Sequence, residues 1–458
     1  MATIMKNRRA ALLTAALAAL LTIAARADAP RTYAITGARI VTSAGTPIAN
    51  GTVVFRNGFI EAVGASDGVP ADARIIEGKG LTVYPGLIDM GNPAGLEVPT
   101  SAQPASARTR EEIERWKREA ILRPQVVAAD YVKADAPDLK RLAAAGITSI
   151  LAVPPGTVVK GQSSLLNVAA PDEEPQYGNI ADQRRGLYVV RTPVALHVAF
   201  PERTPGDAYP ESLMGVISFV RQAFLDAAHY QAELAFCDRV KREAARPVYD
   251  RALEAMQPAL AGRVPVAFEA NEFREILRSL GMAKEFKLDP VIAGGGEADQ
   301  AIADLKAQKS RVLFSLNYPV RSRMLAPDAD EPLRALRQRA NAPKVPAALA
   351  KAGVLFAFES GGLRDPKDFV RNAAKAVKAG LSPDAAIRAM TLDAATIAGV
   401  GDRLGSIEKG KIANLIVTEG DLFDEKMTIK HVFVDGRPVV LEPTAAPQPP
   451  RRGRPGGF

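Results

Sequence analysis

The sequence predicts an α/β chain: a (β/α)8 TIM-like barrel inserted in a small β-sandwich domain built from both chain ends. Three observations carry that expectation. Short β-prone runs separated by Gly, Pro and Asn turns fill the region up to Pro85. From Gly86 onward, strand-like runs alternate with amphipathic helical segments, the pattern of parallel βα units. Near Gly401 the texture returns to short strands, so the two ends share one β unit with the barrel between them.

Residues 1–27 read as a secretory signal peptide. Lys6, Arg8 and Arg9 precede the Ala/Leu-rich stretch Ala10–Ala25, and Ala25-Arg26-Ala27 places small residues at −3 and −1 of a cleavage site before Asp28. A retained anchor is the competing reading, because this stretch approaches spanning length. The cleavage site favours removal, which leaves no transmembrane segment and predicts a periplasmic or secreted protein. Arg8-Arg9 is also compatible with export by the twin-arginine route.

The β unit is expected over 28–85 and 400–442. Its strands are Thr32–Ile40, Gly51–Arg56, Phe59–Val63 and Arg74–Glu77, with Asn57-Gly58 as a hairpin turn, then Ala413–Val417, Ile429–Val434 and Pro438–Leu441, with Asp435-Gly436 as a second turn. The barrel is expected over 86–399. Its strand candidates are Gly86–Asp89, Ser149–Val153, Gly186–Val190, Val194–Phe200, Val264–Phe268, Pro290–Ala293, Arg311–Leu316 and Val354–Phe358. Helices such as Ala136–Ala145, Glu272–Glu285, Glu297–Ala307 and Pro366–Ala379 lie between several of them. The segment Thr109–Ala120 carries mixed charges at i,i+4 spacing, which predicts a solvated helix with Trp116 as its packing anchor. Residues 443–458 are rich in Pro, Gly and Arg without an apolar face and predict a disordered tail.

With 458 residues, 47% of them apolar, the chain can bury a large core. The net charge of +8 invites a nucleic-acid reading, but seven basic residues lie outside the folded body: Lys6, Arg8, Arg9, Arg26, Arg451, Arg452 and Arg454. Without them the body carries about +1, too little for a basic footprint, so nucleic acid is excluded as a partner. Cys237 is the only cysteine, so no intrachain disulfide forms, and its place in the helical run Ala232–Val240 makes it an apolar packer.

Leu81-Thr-Val-Tyr-Pro-Gly-Leu-Ile-Asp89 joins two apolar runs through a Pro-Gly turn and closes on an acid. It resembles the entry segment of the amidohydrolase superfamily, in its imidazolonepropionase-like branch. Gly161-Gln162-Ser163 with the apolar run after it is similar to a Gly-Gln loop of that branch. Met214-Gly215-Val216, running on through Arg221-Gln222-Ala223-Phe224, is similar to one of its helices. Gly380–Thr391 and Gly405–Lys411 match as well, although Ala413-Asn414-Leu415 follows where active relatives carry Ala-Asp-Leu.

The resemblance implies a site of one or two divalent ions, held by His-x-His after the first strand, in many relatives a carboxylated Lys on the fourth, and a His ending each of the fifth and sixth. An Asp ends the eighth strand and takes a proton from metal-bound water. Carried onto this chain, every one of those positions is replaced. Gly91 and Pro93 stand for His-x-His, His197 for the Lys, Glu269 and Gly294 for the two later histidines, and Gly361 for the Asp. Only three histidines exist, with His229 on a helix and His431 in the C-terminal β region. An improvised zinc set would need His197, Glu269 and Glu359, residues that could equally pair with Lys or Arg at the barrel mouth. Glu269 and Glu359 are the two carboxylates that the topology sends to the same barrel end.

No catalytic residue, metal or other cofactor is therefore expected. The favoured reading is a non-catalytic binding or partner protein whose degenerate pocket holds Gly91, Pro93, His197, Glu269, Gly294, Glu359 and Gly361. Its partner would be a catalytically intact relative or a second copy, with a small-molecule ligand also open. The alternatives are an active hydrolase of non-peptide C–N bonds through an unconventional or metal-poor site, and a structural envelope protein that uses only its surface.

Overall fold

A computed structural model describes residues 32–441 except 66–67, 100–101, 103, 105, 134–135, 169–181, 185–186, 207, 241–244 and 327. The predicted signal peptide and tail lie outside the described residues.

Both chain ends contribute to one mixed sheet. Strands β1 (Thr32–Ile40), β2 (Ile48–Arg56), β3 (Phe59–Gly64), β4 (Arg74–Glu77) and β5 (Leu81–Pro85) come from the N-terminal side, and β17 (Leu415–Glu419), β18 (Thr428–Val434) and β19 (Arg437–Pro438) from the C-terminal side. Their order is β19-β18-β17-β5-β1-β2-β3, with β4 also on β1, and β17 pairs antiparallel with β5 from Leu415↔Pro85 to Glu419↔Leu81. An aromatic cluster fills the core: Tyr33, Phe55 and Phe433 have ring centroids 4.9–5.5 Å apart. The two predicted hairpin turns, Asn57-Gly58 and Asp435-Gly436, take left-handed conformations at both residues. They abut so closely that a β-carbon at Gly436 would lie 2.7 Å from Gly58 Cα. Ala413 bridges them, donating its N–H to Gly58 O and accepting from Gly436 N–H.

Between these halves lies an eight-staved barrel. The first stave is β6 (Leu87–Asn92) and the second β7 (Ile147–Ala152); the third is β8 (Val159–Gln162) continued by β9 (Ser164–Asn167). A short strand β10 (Asp182–Arg184) forms a hairpin with β11 (Leu187–Arg191), which continues through β12 (Leu196–Ala199) as the fourth stave. Next come β13 (Val266–Ala270), β14 (Pro290–Gly294), β15 (Arg311–Ser315) and β16 (Phe356–Glu359), all parallel to β12. Residues Ile88, Met90, Leu151, Leu165, Ala267, Val291, Leu313 and Ala357 line the interior, while alternate residues pack under the helices. Burial of both faces is why these strands read as unbroken apolar runs.

Two expectations need correction here. Gly186–Val190 and Val194–Phe200 are not separate strands but the two halves of one stave, interrupted at Thr192-Pro193. The third stave is instead the Gly-Gln segment, expected as a loop. It runs antiparallel to both neighbours, with Ser149↔Asn167 on one side and Leu196↔Gln162 on the other. The helix Arg110–Ile121 is capped by the reciprocal Thr109/Glu112 pair and buries Lys117 and Ile121, with Trp116 half-buried beside them. The Lys117 ammonium donates to the carbonyls of Gly206 and Ala208. Cys237 is buried in the helix Leu213–Val240. Among the described residues no helix is long and apolar enough to cross a membrane.

The β unit is locked to the floor of the barrel by buried polar groups. The Asn414 amide donates to Ser149 Oγ (3.1 Å) and Asn167 Oδ1 (3.0 Å), and its carbonyl accepts from Asp435 N–H (2.8 Å). Asn167 in turn donates to the Asp435 carboxyl at 2.5 Å. An aspartate at 414 has no N–H to offer these acceptors, which explains the departure from Ala-Asp-Leu. We therefore expect Asn414→Asp to lower the melting temperature by several degrees, read by thermal denaturation, because it leaves buried acceptors facing a carboxylate.

Burial pushes the Asp435 carboxyl up from 3.8 to about 7, against the Asn167 hydrogen bond and the charge of Arg437. The folded state thus holds this proton more tightly than the unfolded chain does. Its contribution is fully present below about pH 4 and is lost as pH rises towards 7. Denaturant titrations across that range should show a shallower fall in stability for Asp435→Asn than for the wild type.

Candidate functional site

The mouth of the barrel is formed by the C-terminal ends of its parallel staves. On one side Asp89, fully buried in the middle of β6, ties the first stave to the eighth. Its Oδ1 accepts N–H bonds from Gly91 (3.2 Å) and Ser360 (2.8 Å), and its Oδ2 accepts from Asn92 Nδ2 (2.7 Å). Ser360 Oγ completes the clasp by donating to Gly91 O at 3.1 Å. Burial raises the Asp89 carboxyl above its ordinary value, and these hydrogen bonds oppose the rise.

Three of the predicted ligand positions are glycines whose side-chain space belongs to a neighbour. A β-carbon at Gly91 would lie 2.5 Å from Glu359 Oε2 and 3.0 Å from Glu359 Cβ. At Gly294, held at φ +99°, it would overlap Asn271 Oδ1; at Gly361 it would overlap Ser315 Oγ. Pro93 is exposed and does not join the others. It borders an external groove of about 590 Å³ shared with Asn92, Glu97, Arg141, Ser360 and Gly362.

The remaining three candidates come together around a residue that sequence reasoning missed. Lys160, on the reversed third stave, forms an ion pair with Glu269 at the end of β13. Its charge also bears on His197 and on Glu359. His197 is buried on β12 and its Nε2 has no hydrogen-bond partner. Burial, reinforced by the Lys160 charge, lowers the imidazole to about 3, so it is neutral at physiological pH. Glu359 accepts a hydrogen bond from Gly294 N–H, yet burial, followed by the charges of Glu269 and Asp89, raises its carboxyl well above the usual carboxylate range. A lysine inside the apolar run Val158-Val159-Lys160 was the available signal, because a lone charge there has to find a partner.

The residues at the mouth do not fit a divalent ion. Among the described residues no group of three or more His, Cys, Asp or Glu is placed to hold one. Glu269 is committed to an ammonium, Glu359 is biased towards its neutral form, and glycines at three positions offer no side-chain donor. His229 pairs with Glu233 on an exposed helix face at 3.1 Å, and His431 stacks on Phe433, so neither histidine supplements the mouth.

Barrel and two-ended sheet together define an α/β barrel scaffold with buried and paired polar groups at its mouth. The model of the amidohydrolase family matches residues 203–439, just over half of the chain, and the chain belongs to that family. An amidohydrolase from Thermotoga maritima MSB8 is similar at 25% identity and a TM-score of 0.71, over 89% of this chain and 99% of that one. Two more distant structures share the fold. A putative prolidase from Bifidobacterium longum has 20% identity, covers 90% and 95% of the two chains, and has a TM-score of 0.53. A Xaa-Pro dipeptidase with bound methionine has 15% identity, covers 89% and 99%, and has a TM-score of 0.50. No curated protein matches the sequence.

Restoring the expected ligands on the first stave should not restore a metal site, because Glu359 fills the space beside Gly91. Gly91→His/Pro93→His should lower the melting temperature and leave zinc binding, measured by calorimetric titration, no tighter than in the wild type.

Proposed function

We propose that this amidohydrolase-family barrel is an exported, non-catalytic binding or partner protein of the periplasm, derived from hydrolases of non-peptide C–N bonds. The motifs Gly161-Gln162-Ser163, Gly380–Thr391 and Gly405–Lys411 support placing it beside the imidazolonepropionase-like branch. The observation that carries the reading is the occupation of the ligand positions. Glycines stand at 91, 294 and 361, and Glu359, Asn271 and Ser315 take the space. A site that had lost one ligand would keep the others; this mouth is repacked as a set. The Asp89 clasp and the Asn414–Asp435 lock keep the scaffold intact, which fits a role resting on the fold. The partner is a catalytically intact relative, or a second copy, engaged through the outer helices.

A second reading draws on Glu359. A carboxyl that favours its neutral form beside the Lys160–Glu269 pair could serve as an acid without a metal. Two measurements separate the readings. Protein purified without chelator should contain well under one metal ion per chain and leave a panel of amides and lactams intact. Affinity capture from native periplasm should recover a relative bearing His-x-His in near one-to-one ratio. One tightly held ion lost on His197→Ala, or turnover abolished by Glu359→Gln, would overturn the proposal.

A further inference from the structure

The barrel mouth gathers carboxyl groups that ordinarily need a cation between them. Glu269 ends β13, Glu359 ends β16, and Asp89 lies beneath the seam of the first and eighth staves. Each of the glutamates comes from a stave whose neighbour supplies no side-chain cation at that level: Glu269 pairs in register with Ala199 and Ala293, and Glu359 with Ser315. Charge compensation enters from the one stave that runs the other way. Reversal of the third stave carries Lys160 to the mouth beside the fourth, where Ala199 N–H is bound to Val158 O. There the ammonium pairs with Glu269 while remaining close enough to influence His197 and Glu359.

Resting on the reading that the barrel works without a resident metal, we infer that Lys160 is its built-in cation. The ammonium stands in for the divalent ion, neutralising the Glu269 carboxylate at the mouth and denying the site to a metal. An ammonium is a donor without a lone pair, so it neutralises carboxylates without polarising a water into a nucleophile. Its single charge suffices because Glu359 retains its proton more readily than an ordinary glutamate. A metal entering the same space would meet a fixed positive charge and a Glu269 carboxylate already engaged. Lys160 is a positioning residue in this account and takes no part in bond making.

Removal of the cation tests the inference. Lys160→Ala should melt several degrees below the wild type, and adding Glu269→Gln to it should recover most of that loss, a non-additive cycle. Ethylammonium chloride or zinc chloride should raise the melting temperature of Lys160→Ala, with neither raising that of the wild type or Lys160→Arg. If Lys160→Ala does not fold, Glu269→Gln alone decides the matter. With its main partner gone the ammonium is left to Glu359, and a crystal structure of Glu269→Gln should show Lys160 Nζ turned onto the Glu359 carboxylate. An unchanged melting temperature in folded Lys160→Ala, a loss that neither cation relieves, or a Lys160 side chain turned out to solvent in Glu269→Gln would overturn the inference. Stoichiometric metal held in the wild type away from His197, Glu269 and Glu359 would instead strike the functional reading on which it rests.

Discussion

A charge inside a barrel must find its counter-charge there, and the Lys160–Glu269 pair is where this molecule meets that constraint. Where burial removes water from a carboxylate, an unpaired charge is disfavoured and the group tends to keep its proton. The ammonium takes one carboxylate, and the other carboxyls adapt: Glu359 and Asp89 are both shifted towards their neutral forms by burial. His197, next to the same ammonium, stays neutral and silent. Burial thus sets the protonation of these neighbours, with the ammonium reinforcing it at His197 and opposing it at Glu359.

Repacking follows from the same exchange. A metal holds its ligands at a distance around a shared centre, and without it the surrounding side chains can close in. Glu359 leans into the space beside Gly91, Asn271 into that of Gly294, and Ser315 into that of Gly361. Other contacts close the barrel. Asp89 bonds the first stave to the eighth through backbone N–H groups, and Asn414 with Asp435 bonds the β unit to the floor. Those buried networks are satisfied by specific donors and acceptors, so they fix register as well as adding stability. The fold of the amidohydrolase family is thus held by contacts that do not involve the mouth glutamates.

Most of this architecture could be read from the residues. The turns Asn57-Gly58 and Asp435-Gly436 announced two hairpins because left-handed backbone at both positions favours those residue types. The helical and strand periods marked the barrel, and the small number of histidines could be counted directly. The reversed third stave could not be read, since an apolar run has no direction in sequence and Gly161 resembles a loop residue. The break at Thr192-Pro193 likewise made one stave look like two. Lys160 escaped notice because its importance comes from Glu269, more than a hundred residues away, and only the strand register brings the two together. Pro93 was grouped with the pocket because spacing from Gly91 says nothing about which way the chain turns after the strand.

The central claim is that the space between His197, Glu269 and Glu359 is governed by an ammonium and not by a metal. Anomalous diffraction at the zinc edge, from wild-type crystals soaked in zinc, examines that space atom by atom. The account predicts no anomalous peak there, with Lys160 Nζ in clear density against the Glu269 carboxylate. A zinc peak bonded to His197 and either glutamate, with Lys160 swung out of the mouth, would contradict it.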